Sequence, residues 1–251
     1  MSQLTKKVNL FSKDYFSHGP YKGAKISGIS RFLGKYYWSR RFYAKLVSRI
    51  TPHAGKIFEI GCGFGDLLVF LENDFQTAGI DISPYAIKEA HKRLRKTKLF
   101  VMTSRQIGRL DHNSFDTIIA SHVLEHLKNP KPVIKIVAKL LKPRGIFFIV
   151  VPNPDSLGRK IKGKNWVGYR DKTHTSLYNP SKWFKLLEQD GFIIQKTFGD
   201  GLWDSPYLPL IPKIFQQLIF GLPAMFQTLL TVPFIPTILG ESFVIVARKN
   251  S

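Results

Sequence analysis

Residues 56–65 read Lys-Ile-Phe-Glu-Ile-Gly-Cys-Gly-Phe-Gly, and Thr77-Ala-Gly-Ile-Asp81 follows. Glycine at alternate positions, Gly61, Gly63 and Gly65, lets a turn reach dihedrals that other residues resist and brings backbone amides close to a ligand. Amides gathered this way beside a helix start make a polar, partly positive cradle. Glu59 stands two positions before the first glycine, and Asp81 stands twenty positions after it. In doubly wound nucleotide folds an acid at that later position accepts both ribose hydroxyls. The spacing is G-x-G-x-G, not the G-x-G-x-x-G of dinucleotide enzymes.

A second set of residues could move protons. His122-Val-Leu-Glu125-His126 follows an apolar run, and Asp171 and His174 lie in a later polar stretch. Histidine suits proton removal near neutral pH, so His126, His174 and His122 are the candidate bases, with Glu125 and Asp171 behind them. His122-x-x-Glu125-His126 also matches the inverted zinc-protease string. The segment follows a nucleotide-fold strand, not a protease helix, so no metal is expected.

The elements that must position these residues follow from pattern. An apolar run at 56–61, the glycine turn and Asp66-Leu-Leu-Val-Phe-Leu-Glu72 read as a strand, a turn and a helix at 65–73. Strand two is 77–81. Ser83-Pro84 opens a helix at 84–95, with proline at the first helical position. Strand three is 98–102, and Thr117–Ser121 is strand four. A helix over 132–141 and strands at 146–151, 192–198 and 241–248 complete the core, with a helix over 180–190 before strand six. A helix over 29–50 carries an apolar stripe through Phe32, Tyr36 or Tyr37, Phe42, Leu46 and Ile50.

The set Glu59, Gly61, Gly63, Gly65 and Asp81 resembles motifs I and II of the class I S-adenosylmethionine-dependent methyltransferases. The Ser121-His122-Val-Leu-Glu125-His126 segment, Leu141-Lys-Pro-Arg-Gly145 and Pro152-Asn153 resemble the small-molecule branch of that family, which includes the ubiquinone-pathway O-methyltransferases. The resemblance implies an α/β, Rossmann-like doubly wound sheet of seven strands, mostly parallel with the last antiparallel. It implies S-adenosylmethionine as cofactor, held by Glu59, Gly61, Cys62, Gly63, Gly65, Asp81, Ile82, Thr103, Ser104 and Ser121. Two departures stand out. The family places an acid after strand three for the adenine amino group, and here Thr103 or Ser104 occupies that slot. Arg144 replaces a glycine in the Leu-Lys-Pro-Gly-Gly turn. The family often carries an N-terminal cap, so Tyr37, Arg40 or Arg41 is expected at the methionine carboxylate. Cys62 is expected as a small side chain facing the cofactor.

Four segments are expected: a basic, aromatic-rich cap over 1–50, a core over 51–201, an apolar insertion over 202–239 and a last strand over 240–251. The formal charge of +21 on 251 residues implies a polyanionic partner. Residues 1–56 hold twelve Lys and Arg against a single acid, Asp14. The only cysteine is Cys62, so an intramolecular disulfide is excluded. The start Met1-Ser-Gln-Leu-Thr-Lys-Lys leads into no apolar run, so no secretory signal and a cytoplasmic location are expected. From Ile214 to Leu239 there is no charge, but Pro223, Pro233 and Pro236 break the stretch. It reads as one or two amphipathic helices that cover the acceptor, lie in a membrane interface or meet a partner.

The expected function is methyl transfer to an apolar or lipid-like small molecule, with an anionic inner membrane surface as partner. The alternatives are a nucleic-acid methyltransferase and an idle binding protein of the same fold. Against the first of these, strand four lacks the Asn/Asp-Pro-Pro-aromatic string, and no RNA module is recognisable. Sequence leaves the oligomeric state open.

Overall fold

The computed structural model describes residues 11–18 and 35–251. In chain order it contains α1 (Lys13–His18), α2 (Lys35–Ile50), β1 (Lys56–Ile60), β2 (Gln76–Asp81), α3 (Pro84–His91), β3 (Lys98–Val101) and β4 (Phe115–Ser121). Then come α4 (Lys131–Leu140), β5 (Leu141–Pro152), α5 (Leu157–Lys162), α6 (Val167–Arg170), α7 (Pro180–Gln189), β6 (Phe192–Gly199), α8 (Lys213–Leu230) and β7 (Ser242–Lys249). The strands form one seven-stranded sheet in the order β3-β2-β1-β4-β5-β7-β6. β1 runs parallel to both β2 and β4, whereas β6 and β7 are antiparallel. The strand order reverses direction between β1 and β4, which is where doubly wound sheets bind ligands at their carboxyl edge. The expected mixed α/β sheet is therefore present.

The chain divides into two compact units. The first holds the described residues up to Ala120 together with Lys139–Ile146. Its centre is β1, where Ile57, Phe58 and Ile60 are buried between two neighbouring strands. Ser83 caps α3 by accepting the Ala86 amide, and Pro84 opens the helix without a donor to waste. α1 lays Phe16 onto Phe64 of the glycine turn, with ring centroids 4.9 Å apart. α1 therefore rests on that turn. Phe32 of the expected helix lies outside the described residues.

The second unit comprises Ser121–Ala138 and Phe147–Ser251. Phe147 to Val151 of β5 are wholly buried, as a central strand requires. Asn179 caps α7 by accepting the Lys182 amide, with Pro180 at the first position.

Three local expectations change. The helix expected over 65–73 is a series of tight turns with a short 3-10 piece, Leu68–Phe70, because its backbone bonds alternate between three- and four-residue spans. The stretch 154–176, to which the sequence pattern assigns no regular element, contains α5 and α6 and buries Trp166 completely. The Leu141–Gly145 turn is drawn into β5, with Arg144 at φ +63° where the family has glycine.

Candidate functional site

In the first unit, β1 ends in the glycine turn, and all three glycines take left-handed backbone: Gly61 at φ +70°, Gly63 at +52° and Gly65 at +72°. Side chains resist that region, which explains the alternate spacing. At Gly65 a Cβ would also come within 2.4 Å of Leu94 Cδ1. Arg93 closes the turn from outside, donating to Phe64 O and to Asp66 Oδ1 at 2.5 Å.

Asp81, at the end of β2, is tied to this turn. Its Oδ2 accepts the Gly63 amide at 2.9 Å, and its Oδ1 accepts the Ser83 amide at 2.8 Å. Burial raises the Asp81 carboxyl above its ordinary value, and the amide donors of Ser83, Gly63 and Ile82 oppose that rise. A carboxylate offers about four lone-pair sites, so these bonds leave room for ligand hydroxyls.

Glu59 is nearly inaccessible, and its Oε2 is buried with no hydrogen-bond partner among the described residues. Burial pushes its carboxyl up to about 8; Arg40 opposes the rise, and Asp66 and Asp81 add to it. A buried acid left this way is a site for a cation or a donor. Arg40 is itself buried and lies over the Tyr36 ring at 4.6 Å. Of the three cap residues expected at a carboxylate, Arg40 is the one within electrostatic reach of Glu59. Tyr37 packs edge-on against Phe70, and Arg41 covers Trp38.

A cofactor with a cationic amino group, a carboxylate and a ribose diol matches this donor and acceptor set. Such a group would set its cation against the orphaned Glu59 oxygen and its diol against the open sites on Asp81. The remaining expected contacts fall around this core. Ile82 sits between Asp81 and the cap residue Ser83. Thr103 donates its amide and hydroxyl to Gln106 Oε1, at 2.8 and 2.9 Å, so Gln106 braces the segment where the family has an acid. Ser104 is half-buried beside it. Cys62 packs inward against Leu68, Ile87, Ala90, Leu94 and Leu99. Its amide pins the turn to Ile80 O at 2.8 Å.

In the second unit the three candidate histidines converge. Ser121 closes β4 and is buried. His122 takes φ +56°, its amide held by Val150 O, and its Nδ1 lies 3.2 Å from Glu125 Oε1. Glu125 is fully buried, and its main-chain carbonyl accepts the Thr175 and Ser176 amides. Burial pushes the Glu125 carboxyl up, but the His122 hydrogen bond and the charges of His122, His126 and His174 outweigh it and hold the group below its ordinary value.

His126 and His174 face each other with ring centroids 4.8 Å apart. Burial lowers His126 below the ordinary imidazole value, against the pull of Glu125 and Asp171. His174 Nδ1 lies 2.7 Å from Gly168 O, so that nitrogen carries the proton. Glu125, His126 and His174 offer ligand atoms within 4.8 Å of one another, a geometry open to a cation, although no metal was expected.

Two residues escaped sequence reasoning. Thr173 donates to Asp171 Oδ1 at 2.6 Å and lies 2.8 Å from His126 Nδ1. Thr173 stands next to His174 in sequence, but nothing local links it to His126, 47 positions away. Glu241 carried no signal beyond its place before the last strand. It is fully buried, accepting from Trp166 Nε1 at 2.5 Å and from the Tyr207 hydroxyl.

The sequence matches the methyltransferase domain family over residues 37–197. A ubiquinone biosynthesis O-methyltransferase of Xanthomonas axonopodis pv. citri is 26% identical over 129 residues, covering 48% of this chain and 53% of that one. A second, from Nitrosospira multiformis, is 27% identical over 172 residues, covering 61% and 69%. The match thus spans about half the length of the first relative. The crystal structure of a SAM-dependent methyltransferase from Archaeoglobus fulgidus superposes with a TM-score of 0.58 at 20% identity, covering 88% of this chain and all of that one.

Proposed function

The chain belongs to the methyltransferase domain family, with the class I S-adenosylmethionine-dependent fold, and we propose that it transfers a methyl group from S-adenosylmethionine to an apolar, lipid-like small molecule at a membrane surface. The single observation that carries the cofactor assignment is the buried Glu59 oxygen without a partner among the described residues, set beside Asp81 and the three left-handed glycines.

The cofactor supplies an activated methyl carbon on a sulfonium, so the protein's work is positioning and proton handling. Glu59 holds the amino group, Arg40 the carboxylate and Asp81 the ribose diol. The Gly63 amide fixes Asp81 in turn. His126 takes the acceptor's proton. Thr173 has one hydroxyl hydrogen and gives it to Asp171, so at the 2.8 Å contact His126 Nδ1 must be the donor. The basic lone pair of neutral His126 is then on Nε2. Burial keeps the ring neutral near pH 7, the state a base needs.

The apolar acceptor is supported by the insertion, whose large side chains are extensively exposed, and by the ubiquinone O-methyltransferase relatives. The membrane setting is supported by the +21 charge and the uncharged stretch Ile214–Leu239. A transfer assay with methyl-labelled cofactor on total lipid extract and on total RNA tests the reading. Label in an organic-soluble product is expected; label in RNA alone would overturn the acceptor assignment.

A further inference from the structure

α8 is built with its polarity reversed. A soluble surface helix turns its apolar stripe inward and its polar face to water. Here the buried residues are Gln216 and Gln227, joined on the inward stripe by half-buried Phe220 and Ala224. Gln216 is fully committed: Oε1 accepts the Tyr207 and Leu208 amides, and Nε2 donates to Leu208 O and Ile211 O. Gln227 does the same at the far end, with Nε2 donating to Gly199 O and Oε1 accepting the Phe234 and Ile235 amides. The glutamines thus stitch the helix to the chain on either side of it.

The outward face carries Ile214, Phe215, Leu218, Ile219, Leu222, Met225, Phe226, Leu229 and Leu230, all substantially exposed. At 3.6 residues per turn they fill an arc of about 160° opposite the glutamines. Leu210, 94% exposed, together with Val232, Phe234 and Ile238, extends the apolar surface beyond both helix ends. An apolar surface of this kind marks an interaction site.

Charge selects the occupant. No ionisable side chain falls between Ile214 and Gly240, whereas Arg159 and the exposed Lys160 lie on α5, with Lys162 there paired to Asp204. α5 packs against the turn Thr237–Leu239, whose Ile238 and Leu239 are exposed, so basic and apolar surfaces adjoin. A second copy would bring the same charge of +21 against itself. An anionic lipid surface accepts both the cations and the side chains. No helix among the described residues is long and apolar enough to cross a membrane, and Pro223 interrupts α8.

We infer that α8 lies flat in the interfacial layer of an anionic lipid bilayer, with its Ile214–Leu230 face immersed and α5 at the phosphate level. This rests on the membrane reading of the function and names the element that makes the contact.

The test is flotation of the full chain with phosphatidylcholine vesicles, with and without phosphatidylglycerol, alongside the double variant Leu218→Gln, Phe226→Gln. Both residues are exposed, so the fold does not depend on them. The full chain should float with the anionic vesicles, and the variant should partition about tenfold less. An unchanged S-adenosylmethionine affinity of the variant would show that it is folded. Failure of the full chain to float, equal flotation on neutral vesicles or unchanged flotation of the variant would overturn the inference. A dimer by light scattering that the variant abolishes, without flotation, would assign the face to a second copy. Loss of cofactor binding by the full chain while flotation persists would overturn the proposed function and leave this inference standing.

Discussion

The Thr173 hydroxyl lies 2.8 Å from His126 Nδ1 and passes its own hydrogen to Asp171. A carboxylate therefore sets the tautomer of an imidazole through an intervening hydroxyl, in the same way that buried carboxylates orient catalytic histidines directly.

That arrangement predicts a split between two variants. His126→Asn should lower the transfer rate by about a hundredfold or more, the usual worth of a general base. Thr173→Val keeps the ring and removes only the hydroxyl that fixes its tautomer, so its loss should be about tenfold. Equal rates for His126→Asn and the unmodified chain would remove His126 as the base. The pH profile adds a sign. Burial lowers His126, and a base works when deprotonated, so the acid limb should fall below the ordinary imidazole value of about 6.5. A limb above that value would contradict the assignment.

Glu59 predicts proton release. Its carboxyl is pushed up to about 8, so near neutral pH the empty site holds a proton there. A cation arriving beside it favours the carboxylate, and the proton leaves. Titration of S-adenosylmethionine at pH 7 in buffers of different ionisation enthalpy should show release approaching one proton. Glu59→Gln should abolish the release and weaken binding. The same raised carboxyl predicts a stability trend without ligand. The folded state holds a proton that the unfolded chain gives up at about 4.5, so Glu59 costs stability progressively as pH rises from there to about 8. Glu59→Gln should flatten that part of the profile.

Gly65→Ala should destabilise the protein by about 1–3 kcal/mol, combining a left-handed residue with a Cβ pressed on Leu94. Chemical denaturation measures it. A change within about 0.5 kcal/mol would mean that the turn relaxes at little cost.

Gln216→Ala should loosen the start of α8. It strips partners from two amides and two carbonyls, each costing about 1–3 kcal/mol if it stays buried. Hydrogen exchange over residues 205–220 should accelerate, while exchange in β1 and β2 stays unchanged. Equal acceleration in both regions would mean that the insertion is not an independent local structure.

Sequence and structure agree most where the signal is local. The glycine turn, Glu59 and Asp81 sit within one strand-turn-strand stretch, and their dihedrals follow from residue type. The same holds for the Ser83 and Asn179 caps, each next to the proline that opens its helix. The helix after Gly65 was not legible, because its composition suits an α-helix while its backbone bonds settle into shorter turns. Alternation along a turn does not reveal which side packs, so the apolar neighbours of Cys62 needed the structure. The choice of Arg40 over Tyr37 and Arg41 needed the helix rotation about its axis. The Asp171–Thr173–His126 chain joins residues far apart in sequence. For α8, hydrophobic periodicity finds the stripe but not which way it faces. The exposure of the stripe and the buried hydrogen bonds of Gln216 and Gln227 show that it points out.

The cofactor assignment stands on the Glu59–Gly65 turn and Asp81. Calorimetric titration of the cofactor into the full chain and into Asp81→Ala tests it most directly. Saturable one-site binding is expected for the unmodified protein, with Asp81→Ala weaker by about 2 kcal/mol, roughly thirtyfold, for a lost charged hydrogen-bond acceptor. Absence of binding by the unmodified chain, or equal affinity in Asp81→Ala, would contradict the account.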